Sequence, residues 1–330
     1  MRKIIVILLF MLSLHANESS YELGKGMQVA SLPFYIGGYL SFDYRNMGNE
    51  KRYRADDLAV LGYGNYGKFS YMAEFEYKGF YAETYKGDKK SIQKDSKIHS
   101  ERVYIDYNFD ENYIFRIGKY NSPVGFWNLL PVNVLRQTSS NPISTEIIFP
   151  KFTTGAGASY ESFDEGEVKI NLMLQNNEDL DDEYNNYKIN EHYAVGVLYE
   201  EDAYSIKLNG GYFHMLDFNI IQNKLYYFLL SAKYDMEKYQ LMGEIGAQYS
   251  EAEITTPYAG YIQGLYRFTE QHIGAIRVEA YDNNVNKKND DIAVFSYTYR
   301  PSYPIAIKSE YQFHSISEEN QFLFSISVLF

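Results

Sequence analysis

The chain has 330 residues, 22% of them charged, a formal net charge of -12 and no cysteine. The acidic balance argues against a nucleic-acid partner, and the missing thiols exclude disulfides, thiolate catalysis and zinc–thiolate sites. A mean hydropathy of -0.39 beside 35 Tyr and 21 Phe is awkward for a soluble α/β domain and natural for a sheet whose two faces meet lipid and water.

At the N-terminus Arg2 and Lys3 precede an apolar run from Ile4 to Leu12, and Ala16 closes the segment. That is the order of a secretory signal peptide, too short to span a bilayer as a helix. Leu14 makes the cleavage site an imperfect match. The expected organisation is therefore a leader over 1–16 and a single domain over 17–330, whose charge deepens to -14 once Arg2 and Lys3 leave.

From there period-two alternation recurs to the end of the chain. It predicts sixteen strands, near 33–44, 56–64, 67–77, 98–108, 112–120, 152–161, 166–176, 192–200, 203–213, 224–235, 238–249, 257–268, 271–281, 290–299, 304–313 and 320–330. Each is about long enough to cross a bilayer when tilted. Every second connection is short and turn-like, such as Glu201-Asp202, Met236-Glu237 and Thr269-Glu270. Those between are mostly longer and more polar, notably 78–97, 121–151 and 177–191. Short turns and both termini on one side, long loops on the other, predict an all-β fold: a transmembrane antiparallel β-barrel. In the last strand Phe322, Phe324, Ile326, Val328 and Phe330 share one face. This alternation ending in Phe is similar to the C-terminal assembly signal of bacterial outer-membrane barrels.

The connection 121–151 stands apart. It holds the only Trp, Trp127, and four of the eight prolines, together with Phe126, Leu129, Leu130, Ile147, Ile148 and Phe149. A solvated loop rarely carries so many apolar side chains. Folding into the barrel and packing on its wall would bury them, and packing on a neighbouring subunit is the alternative.

The segment Phe115-Arg116-Ile117-Gly118-Lys119-Tyr120-Asn121-Ser122-Pro123-Val124-Gly125-Phe126 closes one strand and opens that loop. With its R-x-G-x-x-x-x-P-x-G pattern it resembles the Gram-negative outer-membrane porins, and most of all their phosphate-selective branch. The resemblance implies a sixteen-stranded, usually homotrimeric, water-filled barrel whose third extracellular loop narrows the lumen. No dense run of Arg and Lys matches a phosphate ladder, so phosphate specificity is not carried over.

Alternation also sorts lumen from lipid. A charge facing lipid near the midplane costs roughly 2–4 kcal/mol, so the charged face of each strand must look inward. This assigns Glu74, Arg102, Asp106, Arg116, Lys169, Lys207, Glu244, Arg277 and Lys308 to the pore lining. Six of those are basic, which suggests a locally basic waist and a mild preference for anions. The opposite reading is that the charges pair across strands and cancel. Phe126, Trp127, Arg136 and Glu146 belong to the expected constriction loop. Inward-facing Tyr35, Tyr39 and Tyr104 could stack on sugar rings.

Catalytic chemistry finds no support. His99, His192, His214, His272 and His314 lie far apart in sequence, without metal-ligand spacing, and read as solvated. Lipid-facing His272 has no obvious Ser partner for a phospholipase. The run Glu178-Asp179-Leu180-Asp181-Asp182-Glu183 lacks calcium-loop spacing and reads as a solvated acidic loop. No metal or cofactor is expected. The expected partners are outer-membrane lipids, lipopolysaccharide and small hydrophilic solutes. The leading expectation is a passive diffusion channel of the bacterial outer membrane. The alternative is a plugged barrel serving as an adhesin or phage receptor.

Overall fold

The computed structural model describes residues 21–30, 32–94, 97–130, 132–163, 166–216 and 223–330. The expected leader lies outside them.

Sixteen strands form one closed antiparallel sheet. In chain order they are β1 (Phe34–Met47), β2 (Glu50–Tyr66), β3 (Phe69–Glu76), β4 (His99–Asn108), β5 (Tyr113–Asn121), β6 (Phe152–Ser162), β7 (Glu167–Asn176) and β8 (Ile189–Glu201). There follow β9 (Tyr204–Met215), β10 (Lys224–Asp235), β11 (Tyr239–Ser250), β12 (Ile254–Arg267), β13 (His272–Asn283), β14 (Lys288–Ser302), β15 (Ile305–His314) and β16 (Gln321–Leu329). Each pairs with its sequence neighbours, and β16 closes the ring by pairing with β1 from Gln321↔Met47 to Leu329↔Tyr39. Phe330 extends the seam, exchanging two 2.7 Å backbone hydrogen bonds with Gly38. A Cβ at Gly38 would lie 2.8 Å from the Phe330 ring and 2.4 Å from the Ala59 carbonyl, so only glycine lets the chains approach there.

Every predicted strand has a counterpart. The differences lie in the connections. The stretch 45–55, read as a loop, is strand folded about a tight turn at Gly48-Asn49, with Gly48 at φ +53°. The connection 78–97 contains a further hairpin, Tyr81–Lys86 with Lys89–Gln93, which pairs with the tip of β2.

The exterior is built for a bilayer. Ile105, Ile117, Leu172, Ile245, Ile262 and Ile276 face outward, Ile117 with 67% of its surface exposed. Aromatic rings ring the barrel at two heights. Near the short turns Tyr204 and Tyr234 lie 4.6 Å apart and Tyr113 and Tyr160 5.0 Å apart. At the other ends a ladder runs Tyr193, Tyr212, Tyr226, Tyr249 with centroids 5.1–6.1 Å apart. On β9 the two girdles are separated by the span from Tyr204 to Tyr212, about 26 Å along a strand rising about 3.3 Å per residue. Tilted, that matches the apolar band of outer-membrane barrels. The chain is a transmembrane β-barrel of the bacterial outer-membrane type.

Candidate functional site

The lumen wall is not uniformly polar. Phe213, Leu225, Tyr227, Leu229 and Ala259 of β9, β10 and β12 point inward and form an apolar patch. Water would leave that patch exposed at about 25 cal/mol per Å². The loop between β5 and β6 covers it with Val124, Ile148 and Phe149. Farther round, Phe126 and Trp127 pack on Met242 and Tyr261, and Val132 and Val134 reach Tyr39, Leu61 and Ala306 on the opposite side. The expected loop therefore crosses the lumen, and Trp127 is only 1% exposed.

Polar anchors fix its course. Glu244 accepts the backbone N–H groups of Phe126 and Trp127, and Lys207 donates to the Gly125 carbonyl at 2.9 Å. Arg277 donates to Thr138 Oγ1 at 2.9 Å and Ser140 Oγ at 2.6 Å, with its guanidinium 5.4 Å from the Trp127 ring. Lys308 holds the Asn133 and Thr138 carbonyls at 2.5 and 3.3 Å, and Glu310 accepts the Ser139 N–H at 2.7 Å. Glu279 accepts the Ile143 N–H at 2.7 Å. The loop's own charges are also engaged. Arg136 donates to the Leu130 carbonyl and Asn141 Oδ1, both at 2.6 Å, and Lys151 pairs with Glu146 at 2.6 Å. Burial opposes the Glu146 carboxylate, but the Lys151 ammonium, the Asn141 amide and Arg136 together hold that group below the ordinary glutamate range.

The nine residues expected to line the pore do not form a basic waist. Arg102 pairs with Glu74, Arg116 with Asp106 at 2.6 Å and Lys169 with Glu161 at 2.9 Å. Arg277 pairs with Glu279 at 2.8 Å, while Lys207 and Lys308 are spent on loop carbonyls. The charges that alternation identified are cross-strand pairs and loop anchors.

The acidic run after β7 corrects the solvated reading as well. The connection 177–188 folds against the barrel top. Asp179 meets Lys119 at 3.0 Å with both side chains fully buried, Asp181 meets His99 at 3.1 Å, and Glu183 meets Lys97 at 2.5 Å. Asn186 donates to the Phe149 carbonyl at 2.9 Å, so this connection buttresses the lumen loop. His192 is likewise buried, between Thr153 at 3.1 Å and Tyr227 at 3.0 Å.

The open space lies between the loop and the β1–β4 wall. A cavity of about 390 Å³ is lined by Tyr39, Asp57, Glu76, Glu101, Asn133 and Tyr184 among others. A second, of 360 Å³, lies alongside and shares Asp43, Arg54, Ser139 and Asn141 with it. Two bulges shape this wall. The β1–β2 register shifts between Leu40 and Phe42, and the β3–β4 register between Glu74 and Phe75. A bulge lets two consecutive residues share a face. Both Asp56 and Asp57 therefore reach the cavity, and Glu101 is turned inward beside Arg102. Carried back from Ala59 and Val103, strict alternation misses Asp56 and Glu101. The available signal is a pair of adjacent charges where the apolar phase changes, Asp56-Asp57 before Leu58 and Glu101-Arg102 before Val103.

Gly125 carries the loop's sharpest constraint. Its φ is +67°, and a Cβ there would lie 2.7 Å from Glu244 Oε1. Gly125→Val should cost roughly 1–3 kcal/mol in backbone strain alone and dislodge the loop from Glu244. The expected readout is a lower melting temperature in detergent and noisier, larger single-channel currents.

No family model and no curated protein matches the chain. Solved structures do. OmpF of Salmonella typhi, in complex with daunomycin, is 11% identical, with a TM-score of 0.61 over 90% of this chain and 97% of that one. The anion-selective porin from Comamonas acidovorans is 12% identical, with a TM-score of 0.61 over 90% and 99%. The outer-membrane channel DcaP of Acinetobacter baumannii is 9% identical, with a TM-score of 0.59 over 93% and 100%. At these identities the likeness is one of fold.

Proposed function

We propose that the protein is a porin-type passive diffusion channel for small hydrophilic solutes across the bacterial outer membrane. The observation that carries this reading is the loop, which fills one side of a sixteen-stranded lumen and leaves a polar space against β1–β4. A barrel of this strand number is wide enough for an aqueous path, and a loop held by wall residues on β9, β11, β13 and β15 narrows that path without closing it. No catalytic step is part of the proposal. The mild anion preference expected from the sequence loses its basis, because Arg102, Arg116, Lys169 and Arg277 are each ion-paired.

Purified protein reconstituted in a planar bilayer should show discrete conductance steps that scale with salt concentration. A barrel that inserts, migrates as folded on unheated gels and passes no current would instead support the plugged surface-protein alternative.

A further inference from the structure

Resting on the channel reading, we propose that the chamber between the lumen loop and β1–β4 binds small organic cations, solutes carrying an ammonium or guanidinium group, and makes the channel cation-preferring. The chamber's acids fall into two groups. Asp43 and Asp56 share Arg54, Glu146 pairs with Lys151 and Glu183 with Lys97. Asp57, Glu76 and Glu101 remain. Among the described residues none of these three has a Lys, Arg or His nitrogen within 4.0 Å. Neutral hydroxyls hold them instead. Ser41 donates to Asp57 at 2.8 Å, Tyr39 donates to Glu101 Oε2 at 2.9 Å, and the one Tyr184 hydroxyl proton is shared between Glu76 and Glu101.

Glu76 is the decisive side chain. It is 1% exposed, it lines the chamber, and its Oε1 has no hydrogen-bond partner. The Asp57 and Glu101 carboxyl groups crowd Glu76, so negative charge on these three repels within the buried wall, and a cation entering the chamber relieves that repulsion and offers Oε1 a donor. The wall is also shaped for a cation with a carbon skeleton. The Lys78 ammonium lies 4.4 Å from the Tyr184 ring centroid, so that aromatic face already receives an ammonium. A bare divalent ion needs carboxylates gathered closely. Among the described residues the one group within 4.8 Å is Asp290, His314 and Glu319, which lies elsewhere on the rim. A chamber of about 390 Å³ holds far more than one ion, at about 30 Å³ of liquid per water. Arg45 and Arg52 line the adjoining cavity, while the chamber itself sets Arg54, Lys78, Arg136 and Lys151 against Asp43, Asp56, Asp57, Glu76, Glu101, Glu146 and Glu183, an acidic excess that attracts a cation.

The test is a wild-type channel in a planar bilayer under a KCl gradient, with putrescine and then succinate added to one side. The expected results are a reversal potential toward the potassium limit and concentration-dependent current interruptions by putrescine but not by succinate. Glu76→Gln with Glu101→Gln keeps the shape and removes the charge, and should weaken the putrescine block about tenfold or more, the loss expected for charge-assisted hydrogen bonds. Should the double variant fail to fold, the wild-type comparison of putrescine with succinate decides alone. A conducting channel that prefers chloride and ignores putrescine overturns the site while leaving the channel reading intact. A folded barrel without conductance overturns the channel reading, and calorimetric titration of putrescine into the detergent-solubilised protein then decides whether the site exists.

Discussion

Deleting Phe330 should lower the amount of folded protein in the outer membrane by more than tenfold while leaving export across the inner membrane unchanged. The terminal residue makes the last two backbone hydrogen bonds of the seam with Gly38 and covers that glycine with its ring. Two hydrogen bonds at about 1 kcal/mol each correspond to roughly thirtyfold in a folding equilibrium. The cost in lipid is higher, because an unpaired strand end there has no water to turn to. Quantitative blotting of outer-membrane and periplasmic fractions reads both halves of the expectation. A deletion variant that inserts at the wild-type level would show that the seam closes adequately through Gln321–Leu329 alone. Phe330→Tyr, which keeps the backbone pairing and most of the ring, should insert nearly as well as wild type and so separates the loss of the residue from the loss of its side-chain identity.

Removing residues 130–146 and rejoining the ends with a short Gly-Ser link should raise single-channel conductance severalfold and admit larger sugars in liposome swelling. This segment contributes Asn133, Gln137, Thr138, Ser139, Ser140 and Ile143, the groups held by Lys308, Thr298, Arg277, Glu310 and Glu279. Its loss leaves those wall charges facing water, where solvation replaces the lost bonds at little net cost. The barrel itself should therefore survive, since its strand pairs do not pass through the loop. Unchanged conductance in a folded variant would place the narrowest point elsewhere, at the connection 177–188 that overlies the chamber. The same deletion removes the inner wall of that chamber and should abolish the putrescine block even as the current rises.

Sixteen strands, the side that carries the short turns and the inward course of the 121–151 loop could all be read from the residues alone. The reason is that these features are local. Each strand declares its lipid face by alternation, because a misplaced charge is costly in a membrane, and the loop declares its burial by its apolar content. Pairing of the lumen charges could not be read that way. Whether Arg116 meets Asp106, or Lys207 meets a loop carbonyl, depends on strand register and on the path of a segment some eighty residues away in sequence. The acidic chamber depends on two bulges, each a shift of one residue that changes which side chain faces inward. Alternation thus determined that the lumen is charged, and tertiary structure alone decided which of those charges are neutralised and which, at Asp57, Glu76 and Glu101, are left facing the open space.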